Sequence, residues 1–130
     1  MNTNEMEEGL KFAVENPNFD FGVHLTVTSE WKYHKWGGIL DKAKTPSLHN
    51  SVNNFYWNKR KFVKNADLNE IKMELQAQIS LAKSMGLKPS HIDSHEGALF
   101  FDPNIFKIYI DLAIENDLLA FVPILSLIHI

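Results

Sequence analysis

The 130-residue chain contains no cysteine. That excludes disulfides and thiolate ligands, so any metal centre must rest on histidine and carboxylate side chains. It is also compatible with a reducing, cytoplasmic setting. Long apolar runs are missing too. None reaches the roughly 18 residues that read as a membrane span, and the apolar stretch from Leu118 to Ile130 is interrupted by Pro123. Charge of one sign is not concentrated anywhere: the net charge is −3, with no basic stripe for nucleic acid and no acidic tail. The first residues, Met1-Asn-Thr-Asn-Glu-Met-Glu-Glu8, are polar and acidic and do not fit a secretory signal. These absences lead us to expect a soluble, cytoplasmic protein without nucleic-acid or membrane partners.

The chain does have the material of a core. Apolar residues make up 45% and charged residues 22%, which argues against disorder and for one domain or a piece of a larger one. Helical spacing of Met6, Leu10, Ala13 and Val14 predicts a helix over 4–15, stopped by Asn16-Pro17. Residues 20–28 alternate as a strand, with Phe21, Val23, Leu25 and Val27 on one face and Gly22, His24, Thr26 and Thr28 on the other. Residues 29–66 are irregular and rich in aromatics, too long for an ordinary connection. A strong helix follows over 67–85, with an Asp67/Glu70 capping box and Gly86 as its stop. A strand over 90–94, a helix opening at Asp102-Pro103 and a strand over 119–122 complete the pattern. This alternation predicts an α/β fold, a partial (β/α) barrel with parallel strands and helical crossovers.

Two strands carry histidine: Phe21-Gly-Val-His24-Leu-Thr-Val-Thr28 and Ser90-His91-Ile-Asp93-Ser-His95. In an α/β barrel, functional groups gather on inward strand faces at the C-terminal ends. His91, Asp93 and His95 share one face, and three polar, ligand-type positions are costly to bury without a use. His95 comes last and is nearest the mouth, so it is the preferred ligand of that set, with Asp93 placed to orient an imidazole. Strand histidines also serve as ordinary hydrogen-bonded structural residues, and residue type leaves both readings open. His34, His49 and His129 receive no role.

At these residues the chain resembles a known family. Gly22-Val-His-Leu-Thr26, Ser29-Glu-Trp31 and Pro89-Ser-His-Ile-Asp-Ser-His95 are similar to motifs of the YdjC-like carbohydrate deacetylases, which include the chitooligosaccharide deacetylases. The resemblance runs from about Glu7 to about Pro123. It implies an α/β barrel that removes acetyl groups from N-acetylated sugars with a divalent metal, Mg2+ or Zn2+, held by one aspartate and two histidines. Carried onto this chain, the histidines are His24 and His95, with Asp93 and His91 supporting them. The family's aspartate and the general base belong to an Asp-Asp-Phe-Gly-type motif on an earlier strand. Phe19-Asp20-Phe21-Gly22 lies too close to His24 to be that motif. Where the family often has further histidines, this chain has Glu96-Gly97-Ala98; Glu96 is either an added acid/base group or a solvated loop carboxylate.

The resemblance also implies a substrate, an N-acetylated sugar or oligosaccharide. Trp31 and Trp36, in a loop that also holds Tyr33, Phe55, Tyr56 and Trp57, would stack on its rings. Packing over the barrel mouth is the other use for these aromatics. A full barrel takes roughly 250 residues, so residues 1–124 read as an incomplete deacetylase domain and residues 125–130 as a non-native tail. The isolated fragment is expected to be unstable and inactive, while a homodimer stays open for the full-length protein. The alternative function is a sugar-binding or regulatory module that has lost the catalytic aspartates. A third reading is a generic α/β fragment whose histidines are structural.

Overall fold

The alternation through residues 21–28 fixes which way the sheet faces. In the computed structural model, which describes residues 3–123, strand β1 (Gly22–Leu25) pairs in parallel with β2 (His91–Ser94). Strand β3 (Leu119–Ala120) pairs in parallel with β2 on its other side, giving the order β1-β2-β3. Four helices accompany them: α1 (Thr3–Glu15), α2 (Lys59–Asn65), α3 (Leu68–Ser84) and α4 (Pro103–Glu115). In chain order α3 lies between β1 and β2, and α4 between β2 and β3. Parallel strands require such crossovers. The chain is therefore α/β with parallel strands and helical crossovers. No helix among the described residues is long and apolar enough to cross a membrane. The tail at 125–130 and the side chain of Met6 lie outside what is described.

The core forms where the apolar strand face meets the helices. Leu25, Val27 and Ile92 are fully buried against Ile71, Leu75 and Ile79 of α3 and Tyr109 and Leu112 of α4. The Tyr109 hydroxyl sits between the backbone carbonyls of Ile92 and Phe121, 2.8 Å from each, which ties α4 to β2 and to the residue that follows β3. Helix α3 starts as expected, with Asp67 accepting the N–H groups of Asn69 and Glu70. Glu70 does not close the capping box. Its carboxyl group instead accepts the backbone N–H and the hydroxyl of Ser47, at 2.8 and 2.6 Å. Asp102 caps α4 through Asn104 and Ile105, with Pro103 at the first position. Gly86 stops α3 at φ +95°, a conformation that disfavours any side chain.

The expected strand over 20–28 is regular only as far as Leu25, because its partner ends at Ser94, the residue opposite Leu25. Beyond that point a side chain takes over the pairing. The Gln78 amide accepts the N–H of Thr26 at 3.0 Å and donates to its carbonyl at 2.8 Å. The segment 29–66 is more ordered than its composition suggested. It contains α2 and a single 3-10 turn at Pro46–Leu48, and it buries Leu48, His49 and Phe55. Helix α2 is seven residues long and buries only Phe62, too little for a periodic signal.

Candidate functional site

The parallel register puts inward-facing residues in layers. Gly22 lies beside His91, and His24 beside Asp93. The lower layer explains the glycine: a Cβ on Gly22 would stand 2.3 Å from Nε2 of His91, so the imidazole occupies the space a side chain would need. The Nδ1 of His91 pairs with the hydroxyl of Ser90 at 2.9 Å. Among the described residues, no hydrogen bond joins His91 to His24 or His95.

The next layer brings the other histidines together. Asp93 accepts the Nδ1–H of His24 at 2.8 Å. His95, the first residue after β2, turns its ring so that Nδ1 lies 3.2 Å from Nε2 of His24, the two rings being near-perpendicular at 83°. The opposite nitrogen of His95, Nε2, lies 2.8 Å from a carboxylate oxygen of Glu30. Burial pushes the Glu30 carboxyl up, but the hydrogen bond from His95 and smaller contributions from its own backbone, the His95 charge and Trp31 outweigh it. The net result is a carboxyl held below its usual value.

Two oriented imidazoles therefore converge at the C-terminal ends of neighbouring strands. Asp93 and Glu30 each sit on the far nitrogen, so that when each accepts an N–H the two remaining nitrogens face one another across 3.2 Å. Two such nitrogens can share a proton as a hydrogen bond or hold a metal cation between them. Imidazole nitrogens bind a divalent ion at about 2.0–2.1 Å, which places two adjacent ligands of one ion about 2.9–3.4 Å apart. The observed separation falls within that range, so the residues present fit a metal.

Sequence reasoning singled out His24, His95 and Asp93, which meet here, and His91, which stands one layer below. It did not single out Glu30, although the residue stood in the Ser29-Glu-Trp31 motif. Glu30 reaches His95 from a loop 65 residues away in the chain, and no local periodicity signals that meeting. Of the two tryptophans, Trp36 packs against His95 with ring centres 5.9 Å apart and planes at 70°, while Trp31 is 63% exposed. Phe55 belongs to the core and stacks on His49. Glu96 adopts a left-handed backbone conformation (φ 53°). Its carboxyl accepts the hydroxyl of Thr28 and its carbonyl accepts Lys59 Nζ. Glu30, His95 and Glu96 each bring one ligand-type atom within 4.8 Å of the others.

Comparison with known proteins agrees with this architecture. The chain is 32% identical to a carbohydrate deacetylase of Thermus thermophilus over 104 residues, covering 80% of this chain and 38% of the relative. It is 34% identical to a carbohydrate deacetylase of Vibrio parahaemolyticus over 115 residues, covering 85% of this chain and 40% of the relative. The chain thus spans about two fifths of the length of these relatives. An Enterococcus faecalis crystal structure, of a protein provisionally assigned to cellobiose-phosphate cleavage, superposes with a TM-score of 0.75 at 28% identity. That match covers 88% of this chain and 42% of the other. The family model described as YdjC-like protein matches residues 1–127, nearly the whole chain. With the fold, the two histidine strands and this match in agreement, the chain belongs to the YdjC-like protein family.

Proposed function

We propose that this chain is part of a metal-dependent carbohydrate N-deacetylase, with His24 and His95 as two ligands of a divalent ion, Mg2+ or Zn2+. The observation that carries the reading is the 3.2 Å approach of His24 Nε2 and His95 Nδ1 while the far nitrogen of each is held by a carboxylate. A divalent ion there supplies Lewis acidity toward an acetamide carbonyl and toward water. The carbohydrate side of the reading is supported by the relatives named carbohydrate deacetylase.

The protein's own residues prepare the site. Asp93 fixes the His24 tautomer with the proton on Nδ1, which leaves Nε2 as the donor atom. Trp36, half-buried and packed against the His95 ring, gives one wall. Trp31 projects an open aromatic face suited to a sugar ring, apolar on its face and polar at its edges. The reaction is amide hydrolysis: water adds to the acetyl carbon, the C–N bond breaks, and acetate and the free amino sugar leave.

The test pairs metal binding with turnover. Zn2+ titration of a full-length version of the protein and of its His24→Ala and His95→Ala variants should show binding lost in both variants. Acetate release from N-acetylated oligosaccharides should fall with it. Unchanged affinity in both variants would remove the ligand assignment, and metal binding without acetate release would remove the deacetylase reading.

A further inference from the structure

We propose that Glu30 is a positioning residue that sets which nitrogen of His95 is free to bind, an inference that rests on the metal reading above. His95 has two ring nitrogens with different neighbours: Nδ1 faces His24 at 3.2 Å and Nε2 faces Glu30 at 2.8 Å. An acceptor-only group at Nε2 favours the tautomer with its proton there. The lone pair then lies on Nδ1, on the side where His24 presents its own. Asp93 does the same for His24 from the opposite direction. Each imidazole thus has one carboxylate behind it, from a different part of the chain, and the two free nitrogens converge.

The approach of Glu30 is built in rather than incidental. Its neighbour Ser29 is fully buried and held at three points: its N–H donates to the Tyr56 carbonyl, its hydroxyl accepts the N–H of Trp36, and its carbonyl accepts Lys35 Nζ. The segment carrying Glu30 is therefore fixed by its own hydrogen bonds, without help from His95. Glu30 is also only a quarter exposed at its side chain, and His95 about a fifth, so water competes weakly for their hydrogen bond. The other possible role, with Glu30 and Glu96 as direct ligands on the Nε2 side, would place the ion away from His24.

The experiment uses the whole protein, labelled with 15N at histidine, and reads tautomer and metal affinity separately. In the metal-free protein, the ring 15N shifts of His95 should report a proton on Nε2. Glu30→Ala should move proton occupancy toward Nδ1 and weaken Zn2+ binding about 10- to 100-fold. Glu30→Gln keeps one acceptor oxygen and should fall between Glu30→Ala and the parent, which guards against a mere folding defect. A Glu30→Ala protein with parental tautomer and parental affinity would overturn the inference even if His24→Ala still abolished binding. Loss of affinity in Glu96→Gln equal to that in Glu30→Ala would overturn it in favour of direct ligation. If the parent bound no Zn2+ while the tautomer still shifted in Glu30→Ala, the metal reading would fall and the positioning of His95 would stand.

Discussion

Glu74 offers the sharpest test of how the long loop is held over the site. Its side chain is fully buried in α3, where it meets two backbone N–H groups of the loop and one neighbouring side chain. One oxygen accepts the Ile39 N–H at 2.7 Å and a Gln78 amide proton at 2.8 Å; the other accepts the Leu40 N–H at 2.9 Å. The loop comes so close that a Cβ on Gly38 would stand 2.5 Å from a Glu74 oxygen. Glu74→Gln replaces one acceptor by a donor, so one of these N–H groups loses its partner and meets another N–H. The cost should be about 2 kcal/mol, and Glu74→Leu, which removes both acceptors, should cost about 4 kcal/mol. Urea unfolding followed by tryptophan fluorescence measures both. Because the clamp holds residues 38–40 and not the histidines, Zn2+ affinity should stay near the parental value in Glu74→Gln. Stabilities of both variants within about 0.5 kcal/mol of the parent would refute the idea that Glu74 organises the loop.

Three further outcomes are expected. Gly22→Ala places a methyl group 2.3 Å from the His91 ring and should destabilise the protein by about 1–3 kcal/mol. Combining it with His91→Ala should recover part of that loss in a double-mutant cycle, and strict additivity would show that the ring is not what the methyl meets. Asp93→Asn removes the acceptor-only partner of His24 Nδ1 and should weaken Zn2+ binding about 10- to 100-fold with little change in far-UV circular dichroism; full affinity in this variant would discard the role given to Asp93. Burial first, and then the charge of Asp93, push the Tyr109 hydroxyl up to about 12, against a smaller opposing effect of its hydrogen bond to Phe121. The folded state therefore keeps this proton where the unfolded chain loses it. Its contribution is complete below pH 10 and disappears as pH rises through about 12, a change of about 3 kcal/mol. In Tyr109→Phe the fall in stability above pH 10 should be smaller by that amount, as measured by urea unfolding across the range.

Much of the fold could be read locally because its signals are local. Alternation in residues 21–27 assigned the strand faces, and the buried Leu25 and Val27 follow it. Asp67, Gly86 and Asp102-Pro103 marked helix ends through their own capping chemistry. What escaped depends on partners distant in sequence. Glu70 has the spacing of a capping box, yet the nearby Ser47 offers it two donors and wins. The strand ends early because of where β2 ends, and Gln78 completes it from a helix 52 residues on. Val14 fits the helical stripe of α1 but is 46% exposed, since α1 is covered along only part of that stripe.

The site divides along the same line. Strand parity places His91, Asp93 and His95 on one face, but it cannot distinguish one histidine from another, because all have the same chemistry. Their hydrogen-bond partners can. The ring of His91 fills the space above Gly22 and bonds its own neighbour, Ser90, a hydroxyl that both donates and accepts and so fixes neither tautomer. His24 and His95 each have one nitrogen on a carboxylate, which accepts only, and so each is left with a defined free nitrogen. Register supplies one of those carboxylates, by setting Asp93 beside His24. The loop after β1 supplies the other, through the buried anchor at Ser29. The assignment of His24 and His95, rather than His91, to the ion rests on this asymmetry, and exchanging the partners should exchange the roles.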